Sequence, residues 1–230
     1  MSKKNNATIP IPFSYDLLSS KVRSFVETPR MLNAKMRRII ATHEPVPYED
    51  ILDYCLKKGW RDAIIYERLK SKQGSKVVAN AESIVYSLRC KMLQNDAKFV
   101  TDYDSWHKSI CLSADYGMKP GIWQKFINMT LKYLYCFKDV PTVTANVPWN
   151  DLHCPIDSVI AEKALDLMKH YCIPDSEGLI ESISNNGLGG VNWNNISINH
   201  YNCVQEIVDD LCSRGGIPSK LFFDFIYRDR

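Results

Sequence analysis

Helical periodicity runs through almost the whole of this chain and leaves little room for a sheet. Apolar residues recur three and four positions apart in "YDLLSSKVRSFVET", "RMLNAKMRRIIATHE", "YEDILDYCLKKGW", "RDAIIYERLKSK" and "NAESIVYSLRCKMLQ". That spacing gathers them on one face of an α-helix. Pro45 and Pro47 end the second of these, and Gly59 reads as the stop of the third. "SWHKSICLSADYG" is a shorter helix closed by Gly117. "PGIWQKFINMTLKYL" is a turn running into a helix, and "KDVPTVTANVPWNDLHCP" carries too many prolines to be helical throughout. Two more helices follow: "PIDSVIAEKALDLMKHY", striped by Ile160, Ala164, Leu167 and Met168, and "INHYNCVQEIVDDLCSRGG", ended by Gly215 and Gly216. Between them "NNGLGGVNWNN" is a glycine- and asparagine-rich loop. Strand signals are nearly absent and no repeat is visible. The expectation is an all-α protein, with a loose arm over residues 1–13 and one domain over 14–230.

Composition narrows the function classes. With 230 residues and 45% apolar content the chain can build a real core. A net charge of +3 allows a local basic patch without making the whole surface a nucleic-acid binder. Eight cysteines, at 55, 90, 111, 136, 154, 172, 203 and 212, include no C-x-x-C pair and no iron–sulfur spacing. Five histidines, at 43, 107, 153, 170 and 200, show no H-E-x-x-H spacing. No metal or cofactor is therefore expected. "MSKKNNATIPIPF" lacks the apolar core of a signal peptide, and no apolar run reaches membrane length. An intracellular, reducing compartment with free thiols is the expectation.

Two residues stand out chemically. Lys125 lies in the first turn of a helix, where the backbone dipole disfavours a cation. By spacing it shares a face with Asn128, Met129 and Lys132, while Ile127, Leu131, Leu134 and Tyr135 form the core-facing side. Beside Trp123 and a second lysine, its amine is expected to lose its proton more readily than usual, and the neutral amine is the nucleophilic form. Asp157, in "HCPIDSVIAEKAL", reads on local grounds as a helix N-cap. A solvated lysine and a capping aspartate would account for each residue taken alone.

Together, "PGIWQKFINMTL" followed by "CPIDSVIAEKAL" resembles the catalytic core of the helix–hairpin–helix DNA glycosylases, the superfamily of endonuclease III and the 8-oxoguanine glycosylases. Pro120, Gly121 and Ile122 fall on that family's hairpin. Lys125 falls on its catalytic lysine, Asn128 on its asparagine, and Leu131 on its leucine. Pro155, Ile156, Asp157 and Ser158 match the P-V-D-T run that holds its catalytic aspartate. Trp123 replaces the second hairpin glycine, and Asp157 follows Lys125 by 32 positions. That longer gap resembles the archaeal 8-oxoguanine branch, as does the lack of C-terminal iron–sulfur cysteines. The likeness covers about residues 118–168.

The resemblance implies a two-lobed helical fold with a central cleft, and a monomer that flips a base out of double-stranded DNA. It implies excision of a damaged base, 8-oxoguanine first among them, with Asp157 stabilising the cationic sugar and Lys125 forming a Schiff base. Gly121, Trp123, Asn128, Met129, Lys132 and Pro155 are the candidate substrate and DNA contacts, and Lys119, Lys132 and Lys138 are candidates for phosphate. Trp123 reads equally as core. Trp60 and Trp193 read as structural, and Asp209 and Asp210 as a solvated helix face. Asp224 is a C-terminal carboxylate able to hydrogen-bond a base edge. His153 and Cys154, being adjacent, do not make a nucleophile pair. Two alternatives stay open: a non-catalytic helical binding module, and a glycosylase acting on a modified base in conflict between phage and host.

Overall fold

The computed structural model describes residues 10–28, 30–64, 79–93, 99, 101–113, 115–143, 147–173 and 196–228. Among them are nine α-helices and no strand: α1 Tyr15–Glu27, α2 Ala34–Thr42, α3 Tyr48–Ile64, α4 Ala81–Leu93, α5 Tyr103–Cys111, α6 Pro120–Tyr135, α7 Ser158–His170, α8 Ile198–Gly215 and α9 Lys220–Tyr227. The all-α expectation holds. The loop "NNGLGGVNWNN", with Trp193, lies outside the described residues, as do residues 1–9 of the expected arm. Within residues 10–13 the arm is not loose: Ile11 and Phe13 pack on the core, and the Ile11 N–H donates to the Tyr227 hydroxyl at 3.2 Å.

Short polar side chains start most of these helices by accepting a hydrogen bond from a backbone N–H of the first turn, which would otherwise have no partner. Ser14 does so for α1, Asn33 for α2, Asp102 for α5, Asp157 for α7, Ser197 for α8 and Ser219 for α9. Pro120 opens α6, its fixed φ already suited to a helix. The helix therefore begins at the proline itself, and Gly121 and Trp123 lie inside its first turn rather than in a preceding turn. The turn proper comes earlier. A 3₁₀ segment, Asp115–Gly117, carries positive φ at Tyr116 and Gly117 and joins α5 to α6.

The core is organised around α6. Every residue from Gly121 to Tyr135 is buried, so this helix has no solvent face. Its longest interface is with α3, and it also packs on α5 and α8. The side that carries Lys125, Asn128 and Lys132 is covered as fully as the side that carries Ile127, Leu131, Leu134 and Tyr135. α1 packs against α9, with Phe25 and Phe225 edge to face at 5.5 Å, so the N-terminal helix returns to the C-terminal one.

Gly59 does not stop α3, which continues to Ile64. The glycine serves close approach instead. A Cβ at this position would sit 2.3 Å from Thr130 Oγ1, 2.7 Å from the Thr130 nitrogen and 3.0 Å from the Phe126 carbonyl, all on α6. Two of those atoms are backbone and cannot swing aside. Gly59→Ala is expected to lower unfolding stability by about 1–3 kcal/mol through overpacking, despite alanine's better helix propensity. Urea denaturation of the two proteins measures it, and an unchanged midpoint would mean that α3 and α6 do not meet at this point.

Candidate active site

A central helix with polar residues must supply each of them with a partner, because water is absent. Five such side chains lie along α6: Gln124, Lys125, Asn128, Thr130 and Lys132, all buried. Thr130 donates to the Phe126 carbonyl within the helix at 2.8 Å, and the other four reach toward segments C-terminal to α6.

Gln124 pairs with the backbone of Ile156 in both directions, its Nε2 donating to the carbonyl at 3.0 Å and its Oε1 accepting from the N–H at 3.4 Å. Gln205, on α8, does the same with Cys154 at 2.6 and 3.1 Å. The extended stretch before α7 is thus gripped from two sides by glutamine amides acting as substitute strands. Asn128 adds donation to the Cys154 carbonyl at 3.4 Å and to the Tyr201 hydroxyl at 2.9 Å, and accepts from Tyr103 at 3.3 Å. This grip sets where the next residue, Asp157, points.

Asp157 does two jobs at once. Its Oδ1 accepts from the Ile160 N–H at 3.2 Å, capping α7. Its Oδ2 takes the Lys125 ammonium at 2.6 Å and the Arg228 guanidinium at 2.7 Å. The two residues singled out in the sequence therefore meet, 32 positions apart, in a nearly closed site where the Lys125 side chain is 6% exposed and that of Asp157 14%.

The pair belongs to a larger buried network. Arg228 also donates from Nε to Asp224 Oδ1 at 2.6 Å, and its Nη2 lies 2.6 Å from the same oxygen. Asp224 in turn pairs with Lys132. The Lys132 ammonium lies 4.8 Å from the Phe25 ring centre and 4.5 Å from that of Phe225, a cation between two aromatic faces. Lys125, Arg228 and Lys132 thus share two carboxylates, Asp157 and Asp224. Burial lowers the proton affinity of the Lys125 amine, Asp157 raises it, and Arg228 lowers it again, leaving it below that of an ordinary lysine. Burial works to raise the Asp157 carboxyl, but Lys125 and Arg228 outweigh it and hold it well below the usual carboxylate range. Asp157 is therefore an anion at neutral pH, beside an amine that gives up its proton more readily than an ordinary lysine does.

A pocket of about 140 Å³ adjoins this network, lined by Lys21, Ser24, Phe25, Lys132, Asp224, Phe225 and Arg228. Its walls combine two aromatic rings with a carboxylate and several cationic donors. Arg228 connects it to Asp157.

The other sequence candidates distribute as follows. Asn128 is a buried structural hub, and Gly121, Met129 and Pro155 are buried in the core, so none of the four is open to a DNA surface. Trp123 is 1% exposed, stacks on Phe126 at 6.2 Å, and has no hydrogen-bond partner for its Nε1 among the described residues. Its alternative as core is the one realised. Lys132 is too deeply buried for phosphate, whereas Lys119 is exposed and Lys138 is exposed beside Asp139. Trp60 packs on Phe126 as a structural residue. Asp209 is exposed and Asp210 pairs with Arg214 at 2.8 Å, the solvated face expected. His153 points away from Cys154, bonding Tyr201 at 2.8 Å and Asp104 at 2.6 Å.

Sequence reasoning passed over Arg228, Gln124, Gln205 and Tyr201. Gln124 and Gln205 carried no clear signal, since each stands beside a charged residue, Lys125 or Glu206, and reads as part of a polar face. Arg228, two residues before the last one given, carried none. Comparison with protein-family models, with curated proteins and with solved structures finds no match for the chain. The site's geometry is therefore what bears on function.

Proposed function

We propose that this protein is a DNA glycosylase with associated lyase activity, acting on a damaged or modified base, with 8-oxoguanine the first substrate to try. The observation that carries this reading is the 2.6 Å contact between Lys125 and Asp157, in a buried site near a pocket of about 140 Å³ that has two phenylalanines in its wall. The wider reading follows from the same resemblance: a helix–hairpin–helix built from α5, the 3₁₀ turn and α6, two lobes about a cleft, and a monomer on double-stranded DNA.

The chemistry suits the groups. Breaking an N-glycosidic bond builds positive charge at the sugar C1′, and an ionised Asp157 beside that carbon stabilises it. The neutral Lys125 amine forms the bond to C1′ as the base departs with the electron pair of the glycosidic bond. Ring opening then gives a Schiff base that permits strand cleavage by β-elimination. The flipped base would occupy the pocket against Phe25 and Phe225, with Asp224 and Lys132 offering an acceptor and a donor to its edge. Since Lys125 is almost fully covered, the pocket mouth must open for C1′ to reach it.

One observation favours a second reading. Trp123 stands buried where the family has a glycine that lets the hairpin approach phosphate, which suits a non-catalytic helical module. Sodium borohydride separates the two. Duplexes bearing 8-oxoguanine, other oxidised bases, phage-type modified bases or an abasic site are incubated with the protein and reduced. A covalent adduct at Lys125, located by peptide mass, is the expected result. A panel with no adduct, abasic duplex included, would leave the binding module as the better reading. An adduct on modified bases alone would assign the chain to phage–host conflict rather than repair.

A further inference from the structure

The charge count within the network assigns a role to Arg228. Asp157 and Asp224 carry two negative charges, and Arg228 and Lys132 carry two positive ones. Those four groups are balanced without Lys125, whose ammonium adds a third positive charge in a place with little water. A lysine bonded only to a buried aspartate would keep its proton, since losing it would leave the carboxylate alone. Here the same Oδ2 also receives Arg228 at 2.7 Å, so the carboxylate retains a cationic partner when Lys125 becomes neutral.

We propose that Arg228 is a positioning residue of the Lys125–Asp157 pair: its guanidinium holds the Asp157 carboxylate in place while Lys125 releases its proton, and its charge promotes that release. This rests on the reading of Lys125 as the nucleophile. The only bond broken is Nζ–H, and the proton goes to solvent. Arg228 suits the role because a guanidinium stays charged at any working pH and its fork can serve two carboxylates at once. It bridges Asp157 and Asp224, and it touches the lining of the pocket that the base would enter. Among the described residues, the other groups acting on Lys125 include Asp62 on α3 and the Cys154 thiol, while Lys132 and Asp224 belong to the far side of the network. Burial pushes that thiol up to about 12, so it stays neutral throughout. Asp62 favours the ammonium and is itself engaged by the Tyr133 hydroxyl at 2.8 Å.

The test reads the amine directly. Protein carrying lysine labelled with ¹³C at Cε is titrated by NMR, the Lys125 signal being assigned by its loss in Lys125→Gln. In the unaltered protein the midpoint should lie below the ordinary lysine value of about 10.4. In Arg228→Gln it should rise by about one pH unit, and in Arg228→Lys, which keeps a cation, it should return most of the way. The rate of borohydride trapping on an abasic duplex should follow: about tenfold slower for Arg228→Gln at neutral pH, recovering in alkali. A purely structural arginine would instead lower trapping at every pH and leave the midpoint unmoved. A midpoint that is unchanged or lower in Arg228→Gln overturns the proposal. Should that variant not fold, an unaltered-protein midpoint at or above the ordinary lysine value overturns it equally. If the titrations behave as expected and the unaltered protein traps no DNA, the glycosylase reading fails while the role of Arg228 in releasing the Lys125 proton stands.

Discussion

Asp157→Asn is expected to slow base excision severely and to weaken the fold, whereas Lys125→Gln is expected to abolish the covalent adduct and leave the fold nearly intact. Asparagine caps a helix almost as well as aspartate, so the start of α7 survives the first change. What is lost is the charge that both Lys125 and Arg228 share. Breaking a buried pair by removing one partner costs about 3–5 kcal/mol, because the cations left behind have no water to turn to. Excision should fall about a hundredfold or more, since the cationic transition state loses its counter-charge. Lys125→Gln differs because Asp157 keeps Arg228. Its stability should drop by no more than about 1–2 kcal/mol, and binding to damaged duplex should survive the loss of a group whose task is chemical. Urea denaturation and borohydride trapping on the same preparations give both quantities. An Asp157→Asn protein as stable as the original would reduce Asp157 to a cap. One that excised the base at the original rate would remove Asp157 from the chemistry.

Much of the fold could be read from the sequence, because helical spacing and capping residues are local properties. Ser14, Asn33, Asp157 and Ser197 begin the helices that their chemistry suggests, and Gly216 ends α8 in a left-handed conformation. Gly59 shows the limit. A glycine that halts a helix and one that lets another helix come close look the same in one dimension, and only the presence of Thr130 opposite decides between them. α6 shows a second limit. Periodicity placed Lys125, Asn128 and Lys132 on one side of the helix, but it could not say whether that side meets water or other polar groups. It meets Asp157, Tyr201 and Asp224, at separations of 32, 73 and 92 positions. Lys125 and Asp157 were legible because a resemblance spans both. Arg228, Gln124 and Gln205 were not, because their partners exist only once the chain is folded.

The charge count also ranks the remaining ionic residues, and Asp224 is the sharpest case. Removing either carboxylate leaves three cations around one anion, whereas removing either lysine leaves two of each. Asp224→Asn should therefore cost about 3–5 kcal/mol, comparable to Asp157→Asn, even though the side chain barely changes shape. Lys132, at 1% exposure between Phe25 and Phe225, is the residue that loses its carboxylate. Lys132→Met should cost much less, about 1–2 kcal/mol, because methionine fits between aromatic rings and Asp224 keeps Arg228. The double variant, Lys132→Met with Asp224→Asn, should be more stable than Asp224→Asn alone, since one of the three cations is gone. A double variant no better than the single would show that Lys132 is not what suffers when Asp224 is neutralised. The same proteins then report on the pocket. If Asp224 and Lys132 read the edge of the flipped base, the well-folded Lys132→Met should lose discrimination between damaged and normal bases while still trapping an abasic site, which has no base to read. Equal losses on both substrates would place Lys132 with the nucleophile rather than with the base.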